Sequence, residues 1–297
     1  VVAALQSPTL LNNWARSKKW DLQVAEIGDH EGLSEASLLS VAKWDGAYSD
    51  IVAVLVTTPA QLANAARAFP SAKRIWIPHN GQGHLIPRQV LEQIDGIVTL
   101  SRKVLDLQRT QIPELLEKPA WTIPPSYVPT HEFGWSENAA WSMKSRPGTR
   151  HEYDLALFAQ CQERASKLGI QIKLFGQDTP GGFLGNNARA ALYKSCSCYV
   201  SALPPWAGFG LAQHECMAAG VPVAGLYWGD VGERYGRKYP ALVDDLDSLA
   251  EVVKELCGDR KFAMRVSEAG HGYIEQCFSP MAMDQAIEQF IEEINGS

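Results

Sequence analysis

Between Tyr199 and Leu226 the chain reads YVSALPPWAGFGLAQHECMAAGVPVAGL. An apolar run of strand length enters a Pro/Gly loop, a short helix-forming segment stops at Gly220, and a Val-rich run follows Pro222. Strand, loop, helix and strand in that order belong to a parallel α/β sheet. The chemistry sits in the loop. Gly208 and Gly210 carry no Cβ and let the backbone approach a ligand just where the helix opens, and the free N–H groups and positive end of a helix suit a phosphate. Glu215 falls a little over one turn into that helix, where its carboxylate is a poor phosphate ligand and a good acceptor for sugar hydroxyls. The pair predicts a site for something both phosphorylated and hydroxylated, such as a nucleotide or nucleotide sugar. The plainer alternative is ordinary loop geometry followed by a solvated helical Glu.

Strands alternate with helices along the rest of the chain. Val1 to Leu5, Asp21 to Ile27, Asp50 to Thr57, Arg74 to Pro78 and Ile97 to Leu100 read as strands. Helices are expected near Leu10 to Arg16, over Ser34 to Trp44 and Pro59 to Ala68, and from Ser101 to about Arg109. Trp121 to Pro125 closes this half, and Pro124, Pro125 and Pro129 mark a linker. Ala139 to Met143 opens the second half, followed by a helix over Leu155 to Leu168 and a strand over Ile170 to Phe175. Asp244 to Leu256, Arg260 to Ala269 and Pro280 to Ile294 read as further helices. His79 and its Gly81/Gly83 loop come at a strand's carboxyl end, where α/β sheets bind ligands; a His capping its own loop is the alternative.

The segment GFGLAQHECMAAGVPVAG resembles the signature of retaining glycosyltransferases of the GT-B fold, whose usual form is Glu-Gly-Phe-Gly-Leu, a Glu-Ala-Met-Ala or similar helix and Gly-Val-Pro-Val. The resemblance implies two Rossmann-like domains facing each other across a cleft, with a short first domain. Residues 1–125 would form the acceptor-side domain, 126–138 the linker and 139–280 the donor-binding domain. Residues 281–297 would be a terminal helix crossing back to the first domain. The resemblance further implies that Gly208, Phe209, Gly210 and Leu211 meet the donor diphosphate and that Glu215 meets the ribose. Ala207 stands where the family has the Glu that touches the donor sugar, a departure that bears on activity. The family's diphosphate-neutralising cations would be among Lys144, Arg146 and Arg150, which otherwise read as a solvated basic turn. Phe183 and Leu184 would flank the nucleobase, and His79 would face the donor sugar as a catalytic group.

The reaction so implied transfers a sugar from a nucleoside diphosphate donor to an acceptor hydroxyl with retention, using the nucleotide sugar as substrate and neither cofactor nor metal. A non-catalytic nucleotide-sugar-binding protein and a nucleotide-sugar epimerase are the alternatives. The acceptor stays open among a glycan, a lipid, a small molecule and a hydroxylated base in DNA. For DNA, basic clusters at Arg16/Lys18/Lys19, Lys73/Arg74 and Arg102/Lys103/Arg109 would supply a surface. The chain of 297 residues is 46% hydrophobic with 24 Gly and 17 Pro, enough for two ordinary domains. A net charge of −6 gives no general attraction to nucleic acid or anionic membrane. Neither a signal peptide nor a transmembrane run is read, so a cytoplasmic location is expected. The six cysteines, all in the second half and without a CxxC pair, read as reduced core residues.

Overall fold

The computed structural model describes residues 2–5, 17, 22–25, 53–56, 62–63, 65–66, 70–78, 91–143, 151–176, 179–203, 210–227 and 238–296. The chain divides into two compact units, Val1–Ser126 with Pro280–Ser297, and Tyr127–Ser279.

Among the described residues, the first unit is built on six parallel strands: β1 (Val2–Leu5), β2 (Leu22–Ala25), β3 (Ala53–Val56), β4 (Lys73–Trp76), β5 (Gly96–Thr99) and β6 (Ala120–Thr122). Their order is β2-β1-β3-β4-β5-β6. Short, continuously apolar runs suit strands covered on both faces, and β5 is buried at every position. Helix α1 (Arg102–Gln111) follows β5, its start fixed by Ser101, whose hydroxyl accepts from Val104 N at 3.3 Å. The last helix, α7 (Pro280–Gly296), packs on β6. There Trp121 Nε1 donates to Glu293 Oε2 at 2.8 Å, and its ring meets Phe290 edge-on at 5.0 Å. Gly96 makes room for that indole, since a Cβ would lie 2.5 Å from Trp121 Cζ3.

The second unit carries β7 (Trp135–Met143), α2 (His151–Lys167), β8 (Lys173–Phe175), α3 (Asn186–Tyr193) and β9 (Cys196–Ser201). It continues with α4 (Leu211–Ala218), β10 (Val223–Leu226), β11 (Leu242–Val243), α5 (Leu246–Gly258) and α6 (Arg260–Cys277). All five strands are parallel, in the order β11-β10-β9-β7-β8. β9 and β10 are buried throughout. β7 contains a bulge: pairing with β9 shifts between Trp135 and Ala140, and Asn138 takes φ 54°. The Ser197 hydroxyl closes it, accepting from Ala139 N at 2.7 Å and donating to the Ser136 carbonyl. Trp141 lies at the centre of the core, among Phe175, Tyr193 and Tyr199.

The six cysteines are free thiols, five of them buried. Burial pushes the Cys161 thiol up to about 11 and the Cys196 thiol up to about 12, so both are neutral packing groups. No helix among the described residues is long and apolar enough to cross a membrane.

Candidate functional site

Two neighbouring strands of the second unit, β7 and β9, send their chains in opposite directions. From β7 the chain runs through α2 to β8 on one side, and from β9 through α4 to β10 on the other. A crevice opens at the carboxyl ends of strands where the order reverses in this way, and ligands of doubly wound sheets bind there. Trp141 pairs with Tyr199, so Met143 and Ser201, each two residues further on, end side by side. The Lys144–Arg150 segment leaves one of these ends and the 202–210 segment leaves the other. Lys144, Arg146, Arg150, Ala207, Gly208 and Phe209 lie outside the described residues, as does His79.

Gly210 is the N-cap of α4, at φ 65° and ψ 63°. This left-handed conformation suits glycine. The space does too, because a Cβ would come within 2.9 Å of Leu203 Cδ1 and 3.1 Å of Gln213 Cδ. Below the cap, the Ser201 hydroxyl donates to Gln213 Oε1 at 2.8 Å and ties the first turn of α4 to the end of β9. His214 is fully buried and its Nδ1 donates to the Gly210 carbonyl at 3.0 Å, the carbonyl being able only to accept. The helix ends in a Schellman arrangement, with Val221 N donating to Cys216 O at 2.8 Å, Gly220 N to Met217 O at 3.0 Å, and Gly220 at φ 82°. Leu211, the first helical residue, is exposed.

Glu215 lies one turn into α4 with its side chain 32% exposed. Its Oε2 accepts from Arg189 Nη1 of α3 at 2.7 Å. Arg189 is a site residue that sequence reading did not single out. Burial holds the nearby Tyr193 phenol and Cys216 thiol well above their usual ranges, so both stay neutral beside the pair.

Phe183 and Leu184 come just before α3. Phe183 is 80% exposed, the most exposed large apolar side chain described, and Leu184 is half-buried. A tight turn presents them: Gly176 N donates to Gly182 O at 2.9 Å and Gly181 N to Leu174 O at 3.1 Å. Gly181 packs so closely that a Cβ would sit 2.4 Å from the Leu174 carbonyl. The structure thus joins Gly210, Leu211 and Glu215 on one helix end, adds Arg189 in direct contact, and sets Phe183 and Leu184 at the entrance to α3. No three His, Cys, Asp or Glu side chains converge as a metal site among the described residues. Of the basic clusters, Arg74 is engaged by Asp95 at 3.4 Å and Arg102 by Asp106 at 3.1 Å; Arg16, Lys18 and Lys19 lie outside the described residues.

No protein-family model matches the chain, and no curated protein matches its sequence. Solved structures do match in shape. The glycosyltransferase from Rickettsia africae ESF-5 superposes with a TM-score of 0.66 at 14% identity, over 99% of this chain and 98% of that one. Anabaena HepE, solved with UDP-glucose, gives 0.67 at 13% identity, over 98% and 99%. The fold is that of the GT-B glycosyltransferases. TarM, at a TM-score of 0.61 and 14% identity, matches over 82% of this chain, which spans 54% of TarM's length. The GT-B likeness to HepE and the Rickettsia enzyme covers both units.

Proposed function

We propose that the protein is a retaining glycosyltransferase that moves a sugar from a nucleoside diphosphate donor to an acceptor hydroxyl. The observation that carries this reading is the half-exposed carboxylate of Glu215, one turn above a glycine-capped helix end, at the switch point of a parallel sheet. Glu215 accepts hydrogen bonds from ribose hydroxyls in this reading. The diphosphate lies against the amides at Gly210 and Leu211, with Gly208 and Phe209 beside them and Lys144, Arg146 or Arg150 supplying positive charge. Phe183 and Leu184 flank the base. A uridine donor is the first choice, because Anabaena HepE was solved with UDP and with UDP-glucose, and pneumococcal GtfA with UDP and GlcNAc.

The bond between the sugar's anomeric carbon and the donor phosphate oxygen breaks as the bond to the acceptor oxygen forms on the same face. The acceptor's proton passes to the departing phosphate oxygen. The protein's part is positioning and stabilisation of the charge that builds on the leaving diphosphate. His79 contacts the donor sugar in this scheme, and Ala207 stands at the position of the family motif's donor-sugar Glu.

The test is proton NMR of mixtures with α-linked UDP-sugars, with water and with a panel of glycan, glycerolipid and hydroxymethylated-DNA acceptors, with and without chelator. An α-configured product that forms in chelator supports the reading. A β-configured product refutes retention, and a new nucleotide sugar formed without acceptor marks an epimerase. Ala207→Glu is run alongside, and transfer by that variant alone assigns the missing activity to position 207.

A further inference from the structure

Resting on the reading of Glu215 as acceptor for the nucleotide's hydroxyls, we propose that Arg189 is a positioning residue that restricts Glu215 to reading one pentose hydroxyl instead of the vicinal pair. The contact between Arg189 Nη1 and Glu215 Oε2, at 2.7 Å, is the shortest ion pair among the described residues. It is also sheltered, with side chains 26% and 32% exposed, and it joins residues 26 apart on two different helices. The pairs on one helix, such as Lys167 with Glu163, are far more open, at 68% and 64%. Exposed pairs of that kind hold nothing in place. A charge-assisted bond between two packed helices does.

A free carboxylate reaches a vicinal diol with both oxygens. Here Oε2 is taken by the guanidinium, and Oε1 has no protein partner among the described residues. Oε2 keeps only one acceptor site beside the guanidinium, so Oε1 is the oxygen more open to a ligand. Arg189 anchors Oε2, so Glu215 cannot swing to offer both oxygens fully without giving up its bond to the guanidinium. The guanidinium also offsets the negative charge of Glu215, which in this reading lies beside a diphosphate.

The experiment is calorimetric binding of UDP, 2′-deoxy-UDP and 3′-deoxy-UDP to the full chain and to its Arg189→Lys, Arg189→Met and Glu215→Gln variants. In the wild type one deoxy analogue should bind within about twofold of UDP and the other roughly tenfold to a hundredfold more weakly, as for one lost bond to a charged acceptor. Arg189→Lys keeps a single donor on Oε2 and should keep that pattern. In Arg189→Met the carboxylate is released, and both analogues should bind more weakly than UDP. Equal penalties for the two analogues in the wild type overturn the inference, as does a wild-type pattern in Arg189→Met. If the wild type binds none of the three, or Glu215→Gln binds UDP as tightly as the wild type, the reading of Glu215 itself fails and the inference falls with it.

Discussion

Replacing Gly210 by Ala tests how the helix end at the site is made. The residue sits at φ 65° and ψ 63°, which costs an L-amino acid roughly 1–2 kcal/mol. Its Cβ would also lie 2.9 Å from Leu203 Cδ1 and 3.1 Å from Gln213 Cδ. The Leu203 side chain can swing aside, but Gln213 is buried and held by Ser201 at 2.8 Å. Crowding of that kind adds about 1–3 kcal/mol. The expected loss is therefore about 2–5 kcal/mol, read as a shift of the urea midpoint at unchanged slope, with tryptophan fluorescence as the signal. Gly169 supplies the control, since it has φ 80° with nothing within 4 Å of its Cβ position. Gly169→Ala should lose only about 1–2 kcal/mol. If Gly210→Ala is no more destabilised than Gly169→Ala, the packing account of the cap is wrong.

Gly96→Ala should destabilise the first unit by about 1–3 kcal/mol in thermal melts, because its Cβ would strike the Trp121 ring that anchors α7; a neutral result would show that the indole has another place to go. Asp259 caps α6 through bonds from Lys261 N at 2.7 Å and Phe262 N at 3.1 Å. Asp259→Ala should cost about 0.5–2 kcal/mol, with Asn restoring most of it. The His271 ring is held below the usual histidine range, first by burial and then by His131, against the opposing pull of the Thr130 and Ala218 carbonyls and Glu275. With its folded pKa below the unfolded value, the unfolded chain takes up the proton first on acidification. Stability then falls as pH drops through about 6.5 and levels off below the folded pKa. His271→Gln should flatten that part of the pH–stability curve, and an unchanged slope would assign it to other groups.

Part of the sheet was legible because buried strands appear as apolar runs, as DIVAVLVT does around β3; β9 (CSCYVS) interrupts its run with Ser197 and Ser201, buried with their hydroxyls bonded within the fold. The start of β7 was not. Reading placed it at Ala139, whereas the strand begins at Trp135, because the bulge turns Glu137 and Asn138 to solvent and makes the polar SEN triplet look like loop. Only a hydroxyl on the neighbouring strand, Ser197, reveals why the pairing persists. α6 was read as ending near Ala269, yet it continues to Cys277. Gly270 suggests a stop, but its missing side chain instead lets Met217 of α4 approach to 3.3 Å from where a Cβ would be. β11 has two residues and exists through pairing with β10, so no local pattern announces it. At the site, Gly210 and Glu215 stand within one local motif and were visible. Arg189 was not, since its partner is 26 residues away on another helix and no short-range spacing encodes that meeting.

The most direct test of the central claim is isothermal calorimetry of UDP on the wild-type chain and on Glu215→Gln. The wild type should bind UDP saturably, and Glu215→Gln should bind it roughly tenfold or more weakly, the loss expected for hydrogen bonds to a charged acceptor. Equal affinity in the two proteins, or no binding of UDP or any other nucleoside diphosphate at millimolar concentration, would contradict a donor site built on Gly210 and Glu215.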